Sequence, residues 1–139
     1  MKYTLNFDGQ DITFNAQEKD AQVITKIITD LLKLEGFVNL DPDDVKAVVD
    51  GAENVAAGEG TASGENRCSD AANEAVKNLK DAKKLLVCVA SGVDITLTEL
   101  TDAAMAVMDV SDPDAELIWG HVIDEAMGDS VKVSVIAVI

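Results

Sequence analysis

Leu85-Leu86-Val87-Cys88-Val89-Ala90 is an unbroken apolar run, bounded on its N-terminal side by Lys83 and Lys84 and followed by Ser91-Gly92. A strand with one wet face alternates apolar and polar side chains. A run without alternation is a strand covered on both faces or central in a sheet. Working outward from it, Thr96 with Glu99 is a capping box that opens a helix ending near Val110. Asp112-Pro113-Asp114 turns the chain. Glu116 to Ile123 and Ser130 to Ile139 then read as strands, separated by Met127-Gly128-Asp129. On the other side, a helix from about Asn66 to Leu79 carries Ala71, Ala72, Ala75 and Val76 inward. Residues 51–66, rich in Gly, Ala and acids, suggest a loop or a weak strand.

Further toward the N-terminus, Asp41-Pro42-Asp43-Asp44 is a helix start: an Asp cap, Pro in the first turn and acids at the positive dipole end. Val45, Val48 and Val49 give that short helix its apolar side. Phe37 to Leu40 before it is short and extended. A longer helix is expected from Asn15, with Glu18 as its capping-box partner. Ile24, Ile27, Ile28, Leu31 and Leu34 form its buried face, and Gly36 ends it. At the very start, Tyr3, Leu5 and Phe7 alternate with polar residues, Asp8-Gly9 follows, and Ile12 and Phe14 alternate again. A two-residue Asp-Gly turn suits the twist of paired strands. It sets Leu5 opposite Ile12 and Tyr3 opposite Phe14 on one face of a β-hairpin. The whole is an α+β sandwich, helices packed on a small mixed sheet.

The chain has 139 residues, 47% hydrophobic, with 26 acids against 11 bases and a net charge of −15. One domain with a proper core is expected, since a chain this long buries roughly two thirds of its unfolded surface. No apolar run approaches the ~20 residues of a membrane span, and Lys2 to Phe14 holds no signal-peptide core. So acidic a surface argues against nucleic acid and direct membrane binding. Lys77, Lys80, Lys83 and Lys84 form the basic cluster, and Asp81 interrupts it. Cys68 and Cys88 form no CxxC pair and read as small core residues in a reducing cytosol. The lone His121 supports no metal site and reads as an ordinary surface or half-buried residue. Trp119 and Met127 read as core or interface.

Two stretches invite a chemical reading. Gly58-Glu59-Gly60-Thr61-Ala62-Ser63-Gly64 has neither dinucleotide-fold nor P-loop spacing, and Glu59 and Glu65 would repel a phosphate, so a glycine-rich turn into a helix is the better account. Asn39, Asp41, Asp43 and Asp44 form an oxygen-rich cluster able to bind a hard cation or polarise a water. By spacing alone the cluster is more simply a helix cap.

Asp30-Leu31-Leu32, Gly36-Phe37-Val38-Asn39-Leu40-Asp41 and Asp44-Val45-Lys46 resemble the end of the core helix and the synergy loop of FtsZ, the tubulin-like GTPase that polymerises for cell division. Gly58 and Gly60, then Ala62-Ser63-Gly64-Glu65-Asn66-Arg67, resemble that family's glycine turn and A-S/T-G-E-N-R stretch. Gly92 and Asp94-Ile95-Thr96-Leu97-Thr98-Glu99-Leu100 are similar to its G-x-D-L-T-L-x-E-V segment. Asp112-Pro113-Asp114-Ala115, Ile118-Trp119-Gly120 and Val122-Ile123-Asp124-Glu125 are similar to D-P-x-A-x-I-x-W/F-G-x-x-I-D-E. Gly128-Asp129 with Val131-Lys132-Val133 and Val135-Ile136-Ala137 resembles the last strand. The blocks keep the family's order from about residue 20 to 137.

The resemblance implies a tubulin/FtsZ C-terminal-domain-like sandwich preceded by a hairpin and a long helix. It divides the chain into a hairpin at 1–15 unmatched to the family, a core-helix-like segment at 16–36 and the domain proper at 37–139. The family's glycine-rich phosphate loop, G-G-G-T-G-T/S-G, has no counterpart. Thr61 replaces the family's Glu, and Leu34-Glu35 replaces its Arg/Lys-Pro. The family's flexible linker and end peptide have no counterpart within residues 1–139, so tethering through membrane adaptors is not expected of these residues. In the family the synergy loop completes hydrolysis on the neighbouring subunit's nucleotide, which makes Asn39, Asp41 and Asp44 the candidate catalytic residues, acting in trans. The expected partner is an FtsZ-type subunit or a second copy of the chain, in the cytoplasm. No cofactor is expected on this chain; GTP and magnesium would sit on the partner, and the isolated chain is expected neither to bind GTP nor to be an enzyme. Capping or modulation of filaments is the function implied. A stand-alone homo-oligomeric module with the hairpin as its dimer edge, or a piece of a longer GTPase, are the alternatives.

Overall fold

The computed structural model describes residues 1–7, 9–33, 40–79 and 81–139, and the side chains of all of these except Leu32 and Lys33. Strands β1 (Lys2–Phe7) and β2 (Gln10–Ala16) lead into helix α1 (Glu18–Lys33), and α2 (Pro42–Val49) follows. Next come β3 (Ala52–Ser63), α3 (Arg67–Val76), β4 (Lys84–Ser91), α4 (Leu97–Asp109), β5 (Glu116–Ile123) and β6 (Ser130–Val138). A 3-10 turn at Glu125–Met127 precedes β6. The six strands make one mixed sheet in the order β1-β2-β3-β6-β4-β5.

The apolar run is β4, hydrogen-bonded between antiparallel β6 and parallel β5. Its side chains divide by parity, as a strand's must. Leu85, Val87 and Val89 enter a core with Ala71, Ala75, Leu100 and Val107 of α3 and α4. Leu86 and Cys88 enter a second core with Ile24, Ile28 and Leu31 of α1 and Val45 and Val49 of α2. Absence of alternation thus reports helices on both faces of the sheet. Cys68 and Cys88 are free thiols buried in the two cores.

The hairpin register is the expected one, Tyr3 with Phe14 and Leu5 with Ile12, and the rings of Tyr3 and Phe14 stack 5.9 Å apart. Asp8 of its turn lies outside the described residues, as do Phe37 to Asn39, Leu34 and Gly36. The expected helix start at Asn15 is incorrect. Asn15 pairs with Lys2, and Ala16 pairs with Val55 of β3, so strand pairing holds the chain extended beyond the cap-like residue. The helix opens at Gln17, whose carbonyl accepts from the N–H groups of Asp20 and Ala21.

Residues 52–63 form a full twelve-residue strand, paired with β6 from Val55–Val138 to Ser63–Ser130. Their poor strand propensity is overridden by close packing. A Cβ on Gly58 would collide with the Ala75 carbonyl of α3, and one on Gly60 with the Ala71 carbonyl and, at 2.9 Å, with the Ala75 nitrogen. Glycine on the strand and alanine on the helix let two backbones approach. Of the glycine-rich stretch, only Gly64, with φ +95°, makes the turn into α3.

Candidate functional site

Asp41 is the N-cap of α2, with φ −106° and ψ 172°. Its Oδ1 accepts from the Asp44 N–H at 3.1 Å, and Asp44 Oδ2 accepts from the Asp41 N–H at 3.1 Å. This reciprocal box satisfies two backbone donors that the first helical turn leaves open. It also fixes both carboxylates: each commits one oxygen to the backbone and keeps another for a further partner. Asp41 is exposed and Asp44 half-buried. Behind them Val45, Val48 and Val49 anchor α2 in the core at 0%, 5% and 0% exposure. A cap and an available acidic pair therefore coexist. Asn39 lies outside the described residues.

Gly120 of β5 positions this segment. A Cβ there would fall 3.0 Å from both Leu40 Cγ and Leu31 Cδ2. The glycine lets the end of α1 and the residue before Asp41 lie against the sheet. Its neighbour Trp119 faces the opposite way, packed against the α3–α4 core.

A second node brings separate blocks of the sequence together around Arg67, a residue whose spacing alone suggested no role. Arg67, 6% exposed, donates from Nε to Glu99 Oε2 at 2.6 Å and from Nη2 to Glu99 Oε1 at 3.1 Å, a bidentate pair. Its Nη1 donates to the Asp129 carbonyl at 2.8 Å, and Asp94 Oδ1 lies 3.6 Å from Nη2. Glu99 is also the capping-box acid of α4, accepting from the Thr96 N–H at 3.2 Å. One guanidinium thus ties the start of α3 to the start of α4 and to the turn before β6. The signal in sequence was Glu99, whose box was legible while its second partner was not. The Arg67 guanidinium holds the Glu99 carboxyl below the usual carboxylate range, and Glu99 raises the pKa of Arg67 in return. Gly92 completes the node, since a Cβ there would lie 2.6 Å from the Gly128 carbonyl oxygen. A cleft of about 320 Å³ beside it is lined by Gly92, Val93, Asp94, Glu125, Gly128 and Asp129.

Contrary to the expected surface or half-buried position, His121 is fully buried in β5, where it pairs with Val89 of the doubly covered strand β4. Its Nε2 lies 2.7 Å from Ser91 Oγ, and burial pushes its pKa down. Burial raises Cys68 to about 11 and Cys88 to about 12, so both thiols are inert at neutral pH. Among the described residues no group of His, Cys, Asp and Glu is arranged to hold a metal, and no helix is long and apolar enough to cross a membrane. The glycines of β3 do not cradle a phosphate, since their backbone groups pair with β6.

The chain is similar to known proteins in sequence and in fold. The profile of the FtsZ family, C-terminal domain, matches residues 54–138. The cell division protein FtsZ of Caulobacter vibrioides is 40% identical over 117 residues, and that of Magnetospirillum gryphiswaldense is 35% identical over 117. These alignments cover 79% of this chain and only 23% and 21% of the relatives, so the chain spans less than a quarter of their length. Among solved structures, an empty FtsZ dimer from M. jannaschii matches with a TM-score of 0.74 at 29% identity, covering 81% of this chain and 35% of that one. A tryptophan-to-tyrosine mutant of the same FtsZ gives 0.75 at 28%, covering 84% and 37%. TubZ from Bacillus thuringiensis, in GDP-form protofilaments, gives 0.58 at 10%, a likeness of fold alone, covering 75% and 30%. The chain belongs to the FtsZ family and carries its C-terminal domain.

Proposed function

We propose that this domain docks through the α2 face bearing Asp41 and Asp44 on the nucleotide-carrying face of an FtsZ-type subunit in the cytoplasm, and so caps or modulates its filaments. The observation that carries the reading is the reciprocal cap, which holds two acids in fixed geometry at an accessible helix start. Head-to-tail assembly needs two different faces on each subunit. The 139 residues supply one of them, because the nucleotide-binding domain is not among them. Addition of this domain to a filament end then leaves no nucleotide face for the next subunit.

Asp41 and Asp44 would act in trans. A carboxylate fixed near the partner's terminal phosphate orients a water through its uncommitted oxygen. By the family resemblance Asn39, two residues before Asp41 in sequence, is proposed to act with them. GTP and magnesium belong to the partner, and the domain alone performs no hydrolysis.

The test mixes the domain substoichiometrically with a full-length FtsZ and GTP, and follows sedimentation and phosphate release. Reduced pelleting, with altered turnover per pelleted subunit, is expected. Unchanged values of both across a tenfold range of domain would remove the docking reading.

A further inference from the structure

We infer that the domain self-associates through the outer edge of β1, pairing antiparallel with β1 of a second copy about a two-fold axis at Leu5. Strand β1 ends the sheet, and among the described residues nothing pairs with its outer side. The direction of its backbone groups follows from the hairpin. The Met1 amino group donates to the Ala16 carbonyl and the Ala16 N–H donates to the Met1 carbonyl, so residues 1 and 16 are a bonded pair. Bonded pairs alternate along an antiparallel ladder, which makes Tyr3–Phe14, Leu5–Ile12 and Phe7–Gln10 bonded and points the N–H and C=O groups of Lys2, Thr4 and Asn6 outward. Such an edge is a template for another strand unless it is blunted. Here the register is continuous without a bulge, the strand has no proline, and Lys2 is its only charged side chain.

The occupant is set by charge and by register. Residues 85–131 hold ten acids and no Lys or Arg, and the sheet's other edge, β5, lies within them. Two copies of a chain of charge −15 repel wherever such segments meet, and least where residues 1–7 hold no acid and carry only Lys2 and the Met1 amino group. A two-fold axis normal to the sheet keeps like faces together, so residues of equal parity oppose each other. Centred on Leu5, it sets Leu5 opposite Leu5 and Tyr3 opposite Phe7, with Thr4 and Asn6 as bonded pairs. Tyr3, Leu5 and Phe7 are half-buried against the α1–α2 core, and the second copy covers their remaining surface. The dimer is one twelve-stranded sheet. Where the docking proposed above also holds, on which only this consequence rests, the dimer offers two α2 faces and bridges two filament ends.

Light scattering across a concentration series, with no FtsZ present, tests the dimer separately from docking. The mass should rise toward twice the 14.7 kDa of one chain. Thr4→Lys with Asn6→Lys should hold it at one chain, with an unchanged circular dichroism spectrum, because Asn6 already meets Asp11 within the hairpin. Thr4→Cys with Asn6→Cys should oxidise to a disulfide dimer, while Thr4→Cys alone should not; the native cysteines are buried and do not compete. A single-chain mass at all concentrations, or a dimer indifferent to the lysines, would overturn the inference. Cross-linking by Thr4→Cys alone would move the axis to Thr4 and overturn the register.

Discussion

Arg67 and Glu99 are unequal partners: the arginine side chain is 7% exposed and the glutamate side chain 23%. Removing Glu99 strands a buried cation and breaks the α4 cap, whereas removing Arg67 leaves a carboxylate that water reaches and that still caps Thr96. Glu99→Ala is therefore expected to cost about 3 kcal/mol and Arg67→Met about 1–2 kcal/mol, read from urea midpoints; the reverse order would contradict this account. The same residues set the acid response. Glu99 titrates below its ordinary 4.5 in the folded chain, so its contribution is present above that value and lost as pH falls through the lowered pKa. His121 titrates below its ordinary 6.5, so the unfolded chain takes up a proton first and stability declines as pH falls beneath 6.5. Stability against pH should show two acid steps, with His121→Gln flattening the upper and Glu99→Gln the lower. A profile unchanged in both variants would show that neither group titrates as its surroundings require. Glu99 was legible in sequence as a cap because capping is local. Arg67 and His121 were not, because their burial comes from elements thirty or more residues away.

Among the elements, β3 shows where local reading fails. Its glycines look like a loop because glycine lowers strand propensity, yet each marks a close approach of α3. Gly60→Ala is expected to cost about 2–3 kcal/mol, since the methyl meets backbone that cannot turn aside. Gly9→Ala, at φ +82° with open space around it, should cost about 1 kcal/mol through conformation alone. Equal midpoints for the two would mean that α3 yields, and that the small residues are not required by packing. Elements governed by their own residues were legible: the hairpin from its Asp-Gly turn, α2 and α4 from their capping boxes, and β4 from its unbroken apolar run. The start of α1 was misplaced because the pairing of Ala16 with Val55, a tertiary contact, outcompetes a cap. Asp41 and Asp44 were visible in sequence as an acidic group. Only the folded arrangement shows that capping consumes one oxygen of each and leaves the other.

At the scale of the whole molecule, a sheet with helices on both faces presents the capped acidic start of α2 and the nearly uncharged edge of β1. The first is assigned to a nucleotide-bearing partner and the second to a second copy, so the two associations should be separable by mutation. The central claim is the docking of the α2 face, and the carboxylates can be changed without losing the cap, because asparagine caps a helix about as well as aspartate. The most direct measurement is GTP turnover and pelleting of a full-length FtsZ with increasing wild-type domain or its Asp41→Asn/Asp44→Asn variant, both checked for equal unfolding midpoints. Both proteins should reduce pelleted polymer, while the variant should lower phosphate release per pelleted subunit at least tenfold more than wild type at the ends it occupies. Equal effects of the two proteins on turnover would contradict the role of the carboxylates, and no effect of either on pelleting would contradict docking itself.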